Sequence, residues 1–226
     1  MGRSIALAFA RAGADVIIHY HSSVEQAEAT LGELRGLGVR AWAFQADLAH
    51  TTDAVRLGQQ ALAQAGRLDV LVNSAGIWGP TPIGEVTEER WEQLFGTNLR
   101  GAFFLTQQLA PALREARGAI INIADAGLWR PWRNHTPYLT TKGGVVAMTE
   151  ALARDLAPEV RVNAIAPGPV LLPDDWNEQQ ASRASRTVLL QRVGSPDDVG
   201  QAAVFLAQAD YITGVVLPVD GGAHLA

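Results

Sequence analysis

The segment Leu68-Asp69-Val70-Leu71-Val72-Asn73-Ser74-Ala75-Gly76 passes from a short apolar run into four small residues. A run of this length that contains β-branched residues predicts a buried strand, and the small residues after it would let a flat ring approach the backbone. The same alternation of short β-branched runs with longer helical periods extends in both directions along the chain. It is typical of βαβ units around a parallel sheet.

The pattern predicts an α/β fold with a doubly wound parallel sheet. Six strands are predicted, at 15–20, 39–45, 68–73, 119–124, 161–165 and 215–219, and six helices, at 3–12, 24–37, 52–65, 87–115, 137–157 and 196–207. The segment 171–190 is more polar and less periodic, and we expect it to cross one edge of the domain as a lid with Trp176. No repeat or linker divides the 226 residues, so a single domain, 1–226, is expected.

Composition excludes several classes of protein. The chain has no cysteine, so disulfides and thiolate metal sites are impossible, and no metal site is predicted. A net charge of −5 without a basic block argues against nucleic acid as a partner. No apolar run reaches transmembrane length and no signal peptide is present, so we expect a cytoplasmic protein that does not bind membranes.

The chain opens inside or just before a helix. A dinucleotide-binding α/β domain begins instead with a strand that feeds a glycine-rich phosphate loop. Gly2 is therefore expected to be the last glycine of such a loop, in a domain that is N-terminally truncated. If the protein truly begins at Met1, we expect weak dinucleotide binding and low stability.

Ligands of doubly wound sheets bind beyond the carboxyl ends of the strands. His21, Ser22 and Ser23 follow the first predicted strand, where the adenosine ribose of a dinucleotide would lie. These neutral donors suit a 2′-phosphate, which favours NADP over NAD, although Ser22 and Ser23 equally suit a helix cap. Asp47-Leu48 follows the second strand, where the acid either meets the adenine amino group or caps a helix.

Two further turns complete the predicted cofactor site. Asn73, Ser74, Ala75 and Gly76 follow the third strand, and the fifth runs into the rigid turn Pro167-Gly168-Pro169-Val170. Because that turn has little side-chain bulk, we expect it to press against a nicotinamide face.

Lys142 is the only lysine of the chain, and it stands four residues after Tyr138. At this spacing two side chains share a helix face, and an ammonium near a phenol favours the phenolate and lowers the pKa of the tyrosine. Tyr138 is therefore a candidate proton donor. Asp125 ends the fourth strand thirteen residues earlier, as a candidate acid/base partner of the phenol or as a turn cap.

Together these residues resemble the short-chain dehydrogenase/reductase family over essentially the whole chain. The resemblance rests on five ordered motifs: 73–76, Asn98 in 97–99, Tyr138 with Lys142, 161–168 and 220–222. It implies a Rossmann-type fold in which Tyr138 is the general acid, Lys142 lowers its pKa and binds the nicotinamide ribose, and Asn98 holds a water that relays protons. It also implies a homo-oligomer, a dimer or a homotetramer built on the helices 87–115 and 137–157.

Asp125 departs from the family pattern, which has a serine that donates to a substrate carbonyl. An ionised aspartate cannot donate, but it accepts from the N–H groups of a heterocycle. In this respect the chain resembles the pteridine reductase branch, in which an aromatic residue at the position of Trp78 stacks on the pterin. Two structural roles compete with this interpretation of Trp78: a loop aromatic that covers the core, and a subunit contact.

The expected function is therefore NADPH-dependent reduction of a dihydropterin or related folate, a small-molecule substrate. One alternative is a general carbonyl or 3-oxoacyl-thioester reductase of the same family, although no clear basic entrance for an acyl carrier is visible in the sequence. A second alternative is a catalytically silent binding protein.

Overall fold

The computed structural model describes residues 1–172 and 177–226, so Trp176 of the expected lid lies outside the described residues. Six strands are present in the described part: β1 Val16–Tyr20, β2 Ala41–Gln45, β3 Val70–Asn73, β4 Ala119–Ile123, β5 Arg161–Pro167 and β6 Val216–Val219. The α-helices there are α1 Gly2–Arg11, α2 Val24–Gly36, α3 Thr51–Ala65, α4 Glu88–Phe95, α5 Gly101–Ala116, α6 Thr136–Asp155, α7 Glu178–Arg186 and α8 Pro196–Gln208.

The strands form two parallel sheets. One contains β1 and β2, and the other has the order β3-β4-β5-β6. Among the described residues, β1 and β3 each pair with a neighbour on one side only. Strand β4 is buried throughout, whereas β1 and β3 are mostly half-buried.

Helices cover both faces, which confirms the doubly wound α/β arrangement. On one face, Ile5 of α1 and Val199 of α8 pack against Ile121 of β4 and Ile165 of β5. On the other face, α3 and α5 pack on the sheet around Leu71 and neighbouring apolar side chains. Helix α1 also packs against the smaller sheet, where Ala6, Leu7 and Ala10 meet Val16.

The helix predicted at 87–115 is present, since residues 88–116 are helical without a break, but it is not a regular α-helix throughout. Helix α4 gives way to a π-helical turn at Gly96–Arg100 before α5 begins. The widened turn holds Asn98, whose side-chain oxygen accepts from the backbone N–H of Ile77 at 2.8 Å. A Cβ on Gly101, the first residue of α5, would lie 2.3 Å from the carbonyl oxygen of Leu48, so only glycine allows this close approach.

The polar segment 171–190 was predicted as an irregular excursion, and the structure places α7 within it. This helix is short and very polar, so it lacks the apolar period from which helices are recognised in a sequence. Among the described residues, helices with the length and apolar character of a membrane span are absent.

Candidate active site

Strand β4 delivers Asp125 to a position facing Tyr138 on α6. The Asp125 carboxylate caps the 3₁₀ turn Ala126–Leu128, where Oδ1 accepts from the backbone N–H of Gly127 at 2.7 Å. Its other oxygen, Oδ2, accepts from the Tyr138 hydroxyl at 2.6 Å. The two roles considered for Asp125, turn cap and partner of the phenol, therefore occur together.

Burial raises the pKa of Tyr138 well above its usual value, and the charge and hydrogen bond of Asp125 raise it further. Burial also raises the pKa of Asp125, while its hydrogen bonds from Tyr138 and Gly127 act in the opposite direction. The neutral acid form of Asp125 is thus more accessible than for a carboxyl group in water.

Lys142 lies one helical turn after Tyr138 and is buried. Its Nζ donates to the carbonyl oxygen of Ile123 at 2.7 Å and lies 5.8 Å from the centroid of the Tyr138 ring. Burial lowers the pKa of Lys142 to about 8, against an opposing effect of Asp125. Burial and the neighbouring Asp125 are the causes that shift the pKa of Tyr138 here, and both raise it. The lowering of that pKa by Lys142 stays a prediction.

Asn98 connects this cluster to the turn after β3. Its Nδ2 donates to the carbonyl oxygen of Ile77 at 2.9 Å and to Thr141 Oγ1 at 3.1 Å. A Cβ on Gly76 would lie 3.4 Å from Asn98 Oδ1 and 3.6 Å from Lys142 Nζ, so Gly76, Asn98 and Lys142 converge. Both N–H groups of the Asn98 amide have partners, and Oδ1 already accepts from the backbone N–H of Ile77. A relaying water could therefore use only the second lone pair of Oδ1. That relay stays a prediction.

A cavity of about 190 Å³ lies between the carboxyl ends of β1 and β3. Of the predicted cofactor residues, it brings together His21, Asp47, Leu48, Ala75 and Gly76. The Asp47 carboxylate lies 3.8 Å from His21 Nε2. The predicted grouping of residues at neighbouring strand ends is therefore seen in the structure.

Ser22 and Ser23 are exposed and are not among the residues that line this cavity. Ser23 precedes α2, but its side chain makes no capping hydrogen bond. Both hydroxyls are thus free of the helix-cap role that competed with phosphate binding. The side chain of Asn73 turns into the core instead, where it donates to Thr106 Oγ1 and Asn122 Oδ1.

The start of α1 fits the anionic part of a dinucleotide. Ser74 Oγ is buried without a hydrogen-bond partner, and a Cβ on Gly2 would lie 3.7 Å from it. No side chain caps the N-terminus of α1, so its first N–H groups remain available. An orphaned hydroxyl beside uncapped helix N–H groups suits a phosphate.

The turn after β5 is tightly packed. A Cβ on Gly168 would lie 2.7 Å from Asp220 Cα, so the close packing leaves no space for a larger residue at this position. Val170 is buried and lines a separate cavity of about 580 Å³ together with Pro169, Leu189 and Leu190. Pro167 ends β5 and is not among the residues that line this cavity. A nicotinamide contact for these residues stays a prediction.

Four aromatic side chains contact one another in a row that ends at the phenol. We call this row the aromatic wall; it consists of Trp78, His135, Trp132 and Tyr138. Trp78 stacks on His135 with ring centroids 5.8 Å apart. Trp132 stacks on Tyr138 at 6.4 Å and meets His135 edge-on at 5.7 Å. Trp78 and Tyr138 were predicted from the sequence as site residues, whereas Trp132 and His135 were not. Three aromatic rings within 129–135, between the two candidate catalytic residues, were the available signal.

No three histidine, aspartate or glutamate side chains of the described residues come together as a group that could hold a metal ion.

Comparisons with known proteins agree with this geometry. Residues 1–224 match the family described as enoyl-(acyl carrier protein) reductase. The 3-oxoacyl-(acyl-carrier-protein) reductase FabG of Staphylococcus aureus is 36% identical over 237 residues, which cover 100% of this chain and 94% of that protein. The chain belongs to the short-chain dehydrogenase/reductase family.

Further members of the short-chain dehydrogenase/reductase family extend the comparison. The granaticin polyketide synthase putative ketoacyl reductase 2 of Streptomyces violaceoruber is 37% identical over 235 residues, covering 100% of this chain and 92% of that protein. A putative short-chain alcohol dehydrogenase from Sinorhizobium meliloti superposes with a TM-score of 0.92 at 35% identity, covering 98% of this chain and 90% of that one. A blue fluorescent protein from a metagenomic library, solved in complex with NADPH, superposes with a TM-score of 0.91 at 34% identity. The superposition covers 99% of this chain and 94% of that one.

Proposed function

We propose that this protein is an NADPH-dependent reductase that converts the ketone of a 3-oxoacyl thioester into an alcohol. The observation that carries the proposal is the buried cluster of Asp125, Tyr138 and Lys142 in a chain of this family. Support for the substrate class comes from the names of two relatives, a 3-oxoacyl reductase and a putative ketoacyl reductase. The pteridine interpretation has no such support among these relatives.

Residues at the carboxyl ends of β1 and β3 are proposed to hold the cofactor. His21, Asp47 and Leu48 would surround its adenosine end, and the N-terminus of α1 with Ser74 would meet its phosphates. The exposed hydroxyls of Ser22 and Ser23 suit a 2′-phosphate. When bound, NADPH supplies the hydride that reduces the substrate carbon.

Tyr138 is proposed to give its proton to the carbonyl oxygen. While Asp125 is ionised, its carboxylate accepts from the phenol at 2.6 Å, which directs the proton away from a substrate. Once Asp125 is protonated, the phenol O–H is released and the acid itself becomes a donor. The form active on ketones is therefore the one with neutral Asp125, which burial favours by raising the pKa of this group.

Lys142 is proposed to restore the proton to Tyr138. With a pKa lowered to about 8, its ammonium exchanges protons near neutral pH more readily than an exposed lysine does. Asn98 and Gly76 lie next to it, and a connecting water or the ribose of the cofactor is proposed to reach the ammonium from this side.

Reduction of a dihydropterin is the second candidate. It is favoured by the carboxylate at 125, which accepts from heterocyclic N–H groups, and by the exposed indole of Trp78, which suits a flat ring. The third possibility, a silent binding protein, would leave the burial of the single lysine beside Tyr138 without a purpose.

The test measures NADPH oxidation with the N-acetylcysteamine thioester of acetoacetate and, separately, with a dihydropterin. Turnover of the thioester is expected, with a rate that falls as pH rises, because ionisation of Asp125 removes the active form. Asp125→Ser restores a neutral donor, so it should keep thioester turnover and weaken this pH dependence. Turnover of the pterin alone, lost in Asp125→Ser, would overturn the proposal in favour of the second candidate.

We also propose that the protein is a homo-oligomer, a dimer or tetramer in which α5 and α6 pack against other copies. Sedimentation equilibrium measures the number of subunits directly, and a monomer at all concentrations would refute this assembly.

A further inference from the structure

We propose that the aromatic wall is a subsite for a planar ring, so that the ketone reduced at Tyr138 is carried by an aryl or fused-ring group and not by a flexible alkyl chain. The inference rests on the proposed function, because it names the substrate class of the same site.

The indoles of the aromatic wall are exposed. Trp78 is 52% exposed and Trp132 46%. Single exposed apolar side chains are common on soluble domains, but large ones that gather at one place mark a binding surface. Trp78 lies after β3 and Trp132 on the segment that connects Asp125 to Tyr138, and both contact His135.

The rings of the wall lie in two nearly parallel pairs. Trp132 is nearly parallel to the phenol of Tyr138, with 11° between the planes, and Trp78 is nearly parallel to His135, with 20°. Nδ1 of His135 lies 2.7 Å from the carbonyl oxygen of Arg133, and donation to that oxygen fixes the plane of the imidazole between the two indoles. The wall thus runs from Trp78 through His135 and Trp132 to the phenol.

Because the wall is continuous, the hydroxyl of Tyr138 lies at one end of a row of aromatic rings. A ring that rests on the exposed indole faces would have its attached carbonyl next to the hydroxyl of Tyr138, the end of the wall where the proton is delivered. Stacking prefers planar partners at a few ångströms, whereas an alkyl chain would gain as much from leucine or isoleucine.

The charge of residues 129–135 narrows the expected class of substrate further. Residues 129–135 include Arg130 and Arg133, which are exposed, and no acidic residue. Within the described parts of the chain, neither arginine forms a salt bridge. A cationic ring would meet two uncompensated positive charges, so the expected substrate is a neutral or anionic aromatic ketone.

The test compares two N-acetylcysteamine thioesters of similar length, 3-oxo-3-(2-naphthyl)propanoate and 3-oxooctanoate. We expect kcat/KM to be at least tenfold higher for the naphthyl substrate, and Trp132→Leu to remove most of that preference. Trp91→Leu is the matched control, since Trp91 is also exposed and stacked, on Phe95 at 4.3 Å, but lies on α4 outside the wall. This variant should keep the preference.

Equal kcat/KM for the two thioesters would overturn the inference and leave the proposed function standing. If neither thioester is reduced, the proposed function fails, and the subsite is tested by binding alone. Calorimetry with 1-(2-naphthyl)ethanol and 2-octanol should then still give a tenfold lower Kd for the naphthyl alcohol, lost in Trp132→Leu. Equal affinities, or a change of oligomeric state in Trp132→Leu without a change of preference, would assign the wall to another role.

Discussion

Replacement of Lys142 by methionine should make the protein more stable while it abolishes turnover. The buried ammonium has a pKa lowered from 10.5 to about 8. At about 1.4 kcal/mol for each pH unit, keeping this charge buried costs about 3 kcal/mol of folding free energy at pH 7. Methionine removes the charge but also the hydrogen bond from Nζ to the carbonyl oxygen of Ile123, worth about 1–2 kcal/mol. The expected net gain at pH 7 is about 1–2 kcal/mol.

The pH dependence gives this prediction its distinctive signature. At pH 7 the lysine is protonated in both the folded and the unfolded chain, so the full cost is present. Between pH 8 and 10.5 the folded protein loses this proton before the unfolded chain does, so the unfolded state binds more protons and the wild type gains stability as pH rises. The advantage of Lys142→Met should therefore shrink over this range and reverse above it, where only the loss of the hydrogen bond to Ile123 remains, at about 1–2 kcal/mol.

Urea unfolding of the wild type and Lys142→Met at pH 7, 9 and 10.5 measures the difference. Arg154→Met is the matched control, because Arg154 is an exposed cation near the end of the same helix, α6. The difference in unfolding free energy between Arg154→Met and the wild type should not depend on pH over this range. The reasoning would be refuted by a Lys142→Met variant that is less stable than the wild type at pH 7, or by a difference that stays constant to pH 10.5.

Two further predictions concern the catalytic proton and a tightly packed glycine. Tyr138→Phe removes the proposed proton donor, so kcat should fall about 100- to 10,000-fold while the melting temperature changes by only a few degrees; turnover within tenfold of the wild type would exclude Tyr138 as the acid. Gly101→Ala should cost about 1–3 kcal/mol in urea unfolding, because its Cβ would lie 2.3 Å from the Leu48 carbonyl oxygen. Gly32→Ala, at an exposed position of α2 with nothing within 4 Å, should instead gain about 0.5–1 kcal/mol, and equal effects of the two would contradict the packing argument.

Features that depend on local order along the chain were predictable from the sequence. The strand at 119–124 could be located because its apolar run is buried on both faces, and Tyr138 and Lys142 could be placed on one helix face because their spacing matches a helical turn. The residues after β1, β2 and β3 could be grouped because parallel strands end at the same edge.

Features that depend on contacts between distant segments were not predictable. The π-helical turn at Asn98 exists because its amide pairs with Ile77, twenty-one residues earlier. The pKa of Tyr138 depends on burial and on which charge lies closer, and the spacing to Lys142 reveals neither. The aromatic rings at 129–135 were a signal for Trp132, but its contact with Tyr138 was not predictable because it forms only once the loop has folded back over α6.

The division of the strands into two sheets sets the order in which backbone amides should exchange with solvent. Strands β1 and β2 form a ladder of five residue pairs that no described strand joins to the other sheet, and α1 packs on both sheets. Their amides should therefore open at a lower free energy than those of the fully buried β4. A dinucleotide in the cavity between β1 and β3 would touch both sheets. Its binding should therefore slow amide exchange most on β1 and β2, the strands that open first. Deuterium uptake at Val16–Tyr20 would then report cofactor binding without any turnover.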